Sequence, residues 1–366
     1  MRLISLDVLR GCAVFGMILV NSAAAMKWGA EAAVHPLLLH VPWSGLTLAD
    51  LVFPAFLMMV GVAIPFSLRG TPTLAEQGRP ILWRTARLLL LGFLLSNLYW
   101  FQDFSSGDWR LFGVLQRIGL VYGLCALLFL LASPRVRLGM IFAILLLYWP
   151  LVLLPAGDGL ATDIHVRGHN FAAYVDRLLL GPHLYVQGRE GYDPEGILGT
   201  LPALAHGLIG VAIGELLMRK KAGLARPLAL AGTLMLAIGY AWSFAFPIVK
   251  DIWSSSFVLV TCGITTLALA GLHLWLDRPG EPGEQGLAAR LISRAALPFG
   301  TNAIAAYALH MVTAGMVTWQ LLLVPFFAAR PLIGEEAASL LPVALYLALI
   351  WAAMAYLRRR GWVVKI

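Results

Sequence analysis

Several side chains that can carry charge or exchange protons sit within or at the edges of long apolar runs. Asp7, Arg10 and Asn21 lie in the first run, Asp50 opens the second, Arg84 and Arg87 occupy the third, and Gln116 and Arg117 the fourth. A charge inside a membrane span costs a few kcal/mol on insertion scales, so each one calls for a partner or a task. Asp7 and Arg10, three residues apart, can answer this as a pair on one helical face. The densest group is His40-Val-Pro-Trp43-Ser-Gly45-Leu-Thr47-Leu-Ala-Asp50-Leu-Val-Phe53-Pro54. Thr47 or Asp50 can cap the helix that follows, and the Pro and Gly residues set a tight turn before it. His40 is therefore held at a membrane interface, and Asn21, near the far end of a helix that rises about 30 Å in 20 residues, lies at a similar depth. An imidazole with an ordinary pKa near 6.5 can take a proton at neutral pH. Taken alone, however, His40 reads more simply as an interfacial histidine.

The elements that must position these residues are membrane helices. Of 366 residues, 60% are hydrophobic and 13% charged, about half the charge of a soluble domain. The apolar runs repeat at a length suited to a hydrocarbon core of about 30 Å. They predict an all-α, polytopic membrane protein of about ten spans, near 6–26, 47–68, 82–101, 112–132, 138–155, 197–218, 226–247, 252–276, 297–325 and 338–357. Arg2 followed by the run from Val8 resembles a signal peptide, but no clean cleavage pattern follows, and Arg10 and Gly11 argue for a retained helix.

Basic residues set the orientation. Arg69, Arg79, Arg135, Arg137, Arg219, Lys220, Lys221, Arg226, Arg278, Arg290 and Arg294 fall in alternate connections, and Arg358, Arg359, Arg360 and Lys365 in the tail. This places both termini in the cytoplasm and a long loop, 156–196, in the periplasm, where its length suggests a functional role or a lid. Residues 277–294, with Pro279, Gly280, Pro282 and Gly283, read as a cytoplasmic linker inside one transmembrane domain, 1–366. The net charge of +8 is scattered at span ends, which argues against a nucleic-acid face. Cys12, Cys125 and Cys262 lie in apolar segments at unequal spacing, as helix-packing residues rather than disulfide or metal ligands. No metal site is expected.

The motifs resemble the heparan-α-glucosaminide N-acetyltransferase family and its bacterial NagX-like transmembrane glucosamine N-acetyltransferases. The matching blocks are Ser5-Leu-Asp7-Val-Leu-Arg10-Gly11, Met17-Ile-Leu-Val-Asn21, the His40 to Pro54 stretch, Phe112-Gly113-Val-Leu-Gln116-Arg117, Tyr192-Asp193-Pro194-Glu195-Gly196, Phe246-Pro247-Ile-Val-Lys250-Asp-Ile-Trp253-Ser-Ser-Ser256 and Gly300-Thr-Asn302-Ala-Ile-Ala-Ala-Tyr307. They follow the family's order along nearly the whole chain, and the His40 to Pro54 block discriminates best. The resemblance is to the compact bacterial form, without the lysosomal enzyme's N-terminal lumenal domain, which implies free glucosamine or a short amino sugar as acceptor.

The resemblance implies an acetyl-CoA-dependent enzyme of the bacterial inner membrane, with acetyl-CoA as co-substrate and no tightly bound cofactor. It carries His40 over as the active-site histidine and Asn21 as its catalytic neighbour. Chemistry then assigns His40 as general base, or transient acetyl carrier, Asn21 as a donor to substrate or oxyanion, and Asp50 as the group that orients His40 or binds the amine. Arg10, Arg84, Arg87, Arg117 and Asn302 are candidates for the CoA site, and Trp43, Asp193, Glu195, Lys250 and Trp253 for the acceptor site. The CoA nucleotide is expected near the inner face, with the pantetheine arm threading between helices toward His40. The plainer readings stand beside these. Arg84 and Arg87 can be positive-inside anchors, Arg117 can be half of an ion pair, with Asp50 as candidate partner, and Asn302 and Tyr307 can bond neighbouring helices. Asp193 and Glu195 can cap the sixth helix, and His206, His273 and His310 can be packing residues. An O-acetyltransferase acting on an envelope glycan and a sugar or organic-acid transporter are the alternative functions, and the oligomeric state is open, a homodimer included.

Overall fold

The computed structural model describes residues 3–70, 73–219, 223–277 and 286–364. Those residues form helices and turns, with two isolated antiparallel bridges, Ser44 with Val249 and Val186 with Tyr192. In chain order the α-helices are α1 (Ile4–Gly29), α2 (Leu48–Ser67), α3 (Leu74–Ser96), α4 (Val114–Leu131), α5 (Pro134–Val152), α6 (Phe171–Leu180), α7 (Thr200–Met218), α8 (Ala225–Trp242), α9 (Ser255–Leu276), α10 (Leu287–Thr301), α11 (Ala303–Thr313), α12 (Gln320–Ile333) and α13 (Glu335–Arg359). A helix bonds its own backbone, the condition for crossing lipid.

Among the described residues, α1, α2, α4, α5, α7, α9 and α13 are the 7 helices long and apolar enough to cross a membrane. Ala303–Thr318 and Gln320–Ile333, bent by 53° at their junction, make an eighth if the pair is one span. The remaining expected spans are helical but differ in character. The run 82–101 falls on α3, which carries Arg79, Arg84 and Arg87, and 226–247 on α8, with Arg226 and Pro227 in its first turn. The run 297–325 is interrupted at Asn302, where α10 gives way to α11, and again before α12. Pro298, inside α10 one turn before that break, removes one N–H from the helix ladder. Of the expected linker 277–294, Arg278, Pro279, Gly280, Pro282 and Gly283 lie outside the described residues, and from Leu287 onward the chain is already helix α10. Arg2, Lys220, Lys221 and Lys365 also lie outside them. The loop 156–196 contains α6 and a short 3₁₀ turn, Gly181–His183.

The chain forms two compact units. The first comprises Met1–Val41, Leu46–Phe56 and Ala268–Ile366. Its main core joins Val14, Ile18 and Met26 of α1 to Phe299, Ala306, Phe326, Tyr346 and Ile350. The sequence permits an unusually close crossing of α1 and α10. A methyl group at Gly11 would lie 2.0 Å from the Ala296 carbonyl oxygen, and one at Gly300 2.0 Å from that of Asp7, so only glycine lets the two backbones meet. Asp277 caps α1: its Oδ1 accepts from the backbone N–H of Ile4 (2.9 Å) and of Ser5 (3.3 Å), while His273 Nδ1 lies 3.0 Å from its Oδ2. A carboxylate here satisfies unpaired N–H groups at the positive end of the helix. His273, expected as packing, is thus a hydrogen-bonding partner. Cys12 is exposed rather than packed, whereas Cys125 and Cys262 are buried.

The second unit comprises Pro42–Gly45 and Leu57–Leu267. A close helix contact in it is again built on glycine: a methyl group at Gly61 of α2 would meet the carbonyl oxygen of Gly207 of α7 at 2.1 Å. One of its cores gathers Trp43, Tyr148, Tyr192, Phe246, Val249 and Ile252. Trp43 is the anchor of its short segment. Its Nε1 donates to the Ile164 carbonyl at 2.9 Å, and its ring meets that of Tyr192 edge-on at 5.8 Å.

Candidate functional site

The turn before α2 assembles a histidine and a carboxylate from residues ten apart. Asp50 lies in the first turn of α2, where the helix end favours negative charge. Its Oδ2 accepts from the backbone N–H of Thr47 (3.1 Å) and of Val41 (3.4 Å), and the Thr47 hydroxyl lies within reach of both Oδ2 (2.9 Å) and the Leu39 carbonyl (2.8 Å). Those bonds fold the chain back over the helix start, and Oδ1 is left facing His40 Nδ1 at 2.7 Å. A carboxylate only accepts, so Nδ1 carries a proton, and in the neutral ring the lone pair resides on Nε2. Asp50 is 1% exposed and the His40 side chain 48% exposed. The orienting group is therefore shielded from water while the ring it holds is accessible.

Asn21 of α1 lies in the same unit. Its Nδ2 is 3.3 Å from Nε2 of His310 on α11, a residue that is buried and also bonded to Tyr346. His310 is therefore part of a polar network rather than simple packing. Arg10 lies 3.7 Å from Asp7 and 3.4 Å from the Gly300 carbonyl, in keeping with the helix pair. Asn302 is buried, with Nδ2 donating to the Trp362 carbonyl at 3.1 Å and Oδ1 accepting from the Val364 N–H at 3.0 Å. Both ends of its amide thus hold the C-terminal segment of the chain, rather than a neighbouring helix.

In the second unit, Asp193 and Glu195 are buried in the loop before α7. They converge on Arg110, whose Nε and Nη2 donate to Asp193 at 2.8 and 2.5 Å, and whose Nη2 also reaches Glu195 at 2.5 Å. The carboxylates expected to cap the sixth predicted span, 197–218 (α7), or to bind substrate are bound by this guanidinium. Burial opposes the Arg110 charge, but the two carboxylates outweigh it and raise its pKa, while Glu195 is held below its usual range by Arg110 against the cost of its own burial. Nearby, Asp176 of α6 accepts from the backbone N–H of Ile197 (2.9 Å) and of Asp193 (3.3 Å). Burial pushes its carboxyl up to about 7 in spite of those bonds.

Arg117 is fully buried. Its Nη1 and Nη2 donate to the carbonyls of Pro194 (2.8 Å) and Gly196 (3.0 Å), and its guanidinium lies 5.1 Å from the Trp253 ring centre. Where the sequence suggested an ion-pair half, the head group instead ties α4 to the loop before α7. Trp253 holds a left-handed backbone at φ +54°, a conformation uncommon outside glycine, and its ring packs against Phe257 and His206. Lys250 lies three residues earlier and is half-buried. Arg84 of α3 lies over the Tyr122 ring at 4.4 Å, and Arg87 is exposed. Among the described residues neither meets a carboxylate, and no group of three His, Cys, Asp or Glu is placed to hold a metal ion.

Residues 2–242 match the family described as heparan-alpha-glucosaminide N-acetyltransferase, catalytic. The chain belongs to this family. It is 30% identical over 337 residues to heparan-alpha-glucosaminide N-acetyltransferase of Homo sapiens, covering 76% of this chain and 49% of that protein. The Mus musculus enzyme of the same name is likewise 30% identical over 337 residues, with 50% of its length covered. The chain thus spans about half the length of the curated relatives it matches. The family match contains Asn21, His40, Asp50, the arginines of α3 and α4, and the Asp193–Glu195 block, whereas Lys250, Trp253 and Asn302 lie beyond it. Sequence reasoning passed over Arg110 and Asp176 as site residues and read His310 as a packing residue. Each owes its importance to partners tens or hundreds of residues away, and no local pattern announces it.

Proposed function

We propose that this protein moves acetyl from acetyl-CoA to the amine of glucosamine or a related amino sugar, with His40 as general base. The observation that carries this reading is the His40–Asp50 pair at 2.7 Å in a chain of this family. The acceptor amine attacks the thioester carbonyl and its proton passes to Nε2 of His40. Asp50 holds Nδ1–H and stabilises the imidazolium that forms. Asn21 donates to the oxyanion, which collapses as the C–S bond breaks, and the thiolate of CoA leaves and recovers a proton. The same Nε2 lone pair can instead take the acetyl group first, as an acyl-imidazole; parallel double-reciprocal lines distinguish that route from direct transfer.

The basic span ends support a protein of about ten spans in a bacterial inner membrane, with both termini cytoplasmic, the donor entering from the cytoplasm and the acceptor from the far side. Arg84 and Arg87 are the strongest candidates for the CoA phosphates, because among the described residues neither charge meets a carboxylate. Trp43, Lys250 and Trp253 remain candidates for the acceptor. The test is purified protein given acetyl-CoA and glucosamine, with products read by mass spectrometry. Wild type is expected to yield N-acetylglucosamine, and His40→Ala to lose at least about 10²-fold in rate while keeping its unfolding temperature. A folded His40→Ala variant with full activity would refute the mechanism.

A further inference from the structure

A histidine sunk in the first unit carries a hydrogen-bond chain that ends on Asn21. His310 is 1% exposed, and the ring of Tyr346 on α13 meets it at 5.8 Å between centres. A buried polar ring left without partners costs a few kcal/mol. Both nitrogens are engaged here: Nδ1 lies 3.0 Å from Tyr346 Oη, and Nε2 3.3 Å from Asn21 Nδ2.

The direction of every bond follows from the far end. The Thr313 hydroxyl donates to the Leu309 carbonyl one turn back, at 2.6 Å. Its proton committed, Thr313 Oγ1 can only accept from Tyr346 Oη at 2.9 Å. The other group within reach of that hydroxyl, the His310 carbonyl at 3.3 Å, also only accepts. Tyr346 therefore donates away from the imidazole and must accept from His310 Nδ1–H. The ring is the neutral Nδ1–H tautomer, its lone pair is on Nε2, and Asn21 must turn its amide nitrogen, not its oxygen, toward it. The reverse orientation would set two lone pairs face to face.

We propose that His310 is a positioning residue for Asn21. The relay from Thr313 through Tyr346 and His310 clamps one N–H of the Asn21 amide, and so fixes the plane in which the second N–H and Oδ1 are presented to the reacting acetyl group. This rests on the acetyl-transfer reading above.

The test is steady-state acetylation by the reconstituted full chain, comparing wild type with Tyr346→Phe, His310→Ala, His310→Gln, Asn21→Ala and the double variant His310→Ala, Asn21→Ala. Tyr346→Phe keeps the shape of the ring and deletes only the relay; kcat is expected to fall about 10-fold, and about 10²-fold in His310→Ala, with KM for acetyl-CoA unchanged. His310→Gln, which retains a polar partner for Asn21, should recover part of kcat. Because His310 acts through Asn21, the double variant should be no slower than Asn21→Ala alone. Unchanged kcat in Tyr346→Phe and His310→Ala, or losses that multiply in the double variant, would overturn the relay. If His310→Ala fails to fold, Tyr346→Phe and His310→Gln decide it. A wild type that acetylates no amino sugar removes the reading and the relay together, whereas an active wild type with unaffected variants removes the relay alone.

Discussion

Asp50→Asn is the sharpest single perturbation of the proposed site, because it preserves shape while removing the charge and changing which atoms accept. The Asp50 carboxylate accepts on one side from two backbone N–H groups, of Thr47 at 3.1 Å and Val41 at 3.4 Å, with the Thr47 hydroxyl at 2.9 Å, and on the other from His40 Nδ1 at 2.7 Å. An asparagine has one oxygen to offer. Turning its NH₂ toward the backbone N–H groups would set donors against donors and lose at least two bonds, about 1–3 kcal/mol for each group left unsatisfied. The oxygen therefore stays on the Thr47 side and the NH₂ faces His40. Nδ1 must then accept, its proton moves to Nε2, and the lone pair that takes the substrate proton is gone. The same inversion of tautomer in serine proteases costs about 10⁴ in kcat, or about 5.5 kcal/mol of transition-state stabilisation. Loss of the carboxylate charge at the start of α2 should cost only about 0.3–1 kcal/mol of stability. The assay is kcat for glucosamine acetylation alongside the unfolding temperature in one detergent. A folded Asp50→Asn variant with kcat within about threefold of wild type would show that Asp50 does not set the His40 tautomer, and the general-base argument built on it would fall.

Three further outcomes follow from the geometry. Arg110→Gln strands two buried carboxylates and should cost about 3–5 kcal/mol of stability, seen as a lowered unfolding temperature; an unchanged value would mean that water or another cation compensates. Asp176, whose folded pKa of about 7 stands above an unfolded value near 3.9, binds more protons in the folded state, so its contribution to stability is greatest in acid and is lost as pH rises from about 4 to 7. Asp176→Asn should flatten that part of the stability profile, and a wild-type profile rising over this window by an amount the variant abolishes would contradict the sign. Asn302→Ala should release the segment around Trp362–Val364 to limited proteolysis while α13 stays protected, a result that equal cleavage of the two proteins would deny.

The apolar runs alone determined an all-helical membrane chain, because lipid accepts only a backbone that bonds itself. The His40 to Pro54 block was legible for a related reason: a cap, a tight turn and a histidine within fifteen residues are local features that tertiary context need not supply. The pairing of Asp7 with Arg10 was equally local. The number and straightness of the spans were less so. Whether a helix as charged as α3 or as interrupted as α10 to α12 crosses as one piece depends on what it packs against, and hydropathy does not report that. The tertiary structure alone decided the partners of the long-range polar groups. Asp193 and Glu195 look like caps until Arg110 closes on them, Arg117 looks like half an ion pair until two carbonyls fill its fork, and His310 looks like packing until Asn21 and Tyr346 meet its two nitrogens. A buried polar group must be satisfied, so the sequence announces that such a partner exists. Which group fills the role is a matter of distance in space, and only the folded chain brings residues 21, 310 and 346 together.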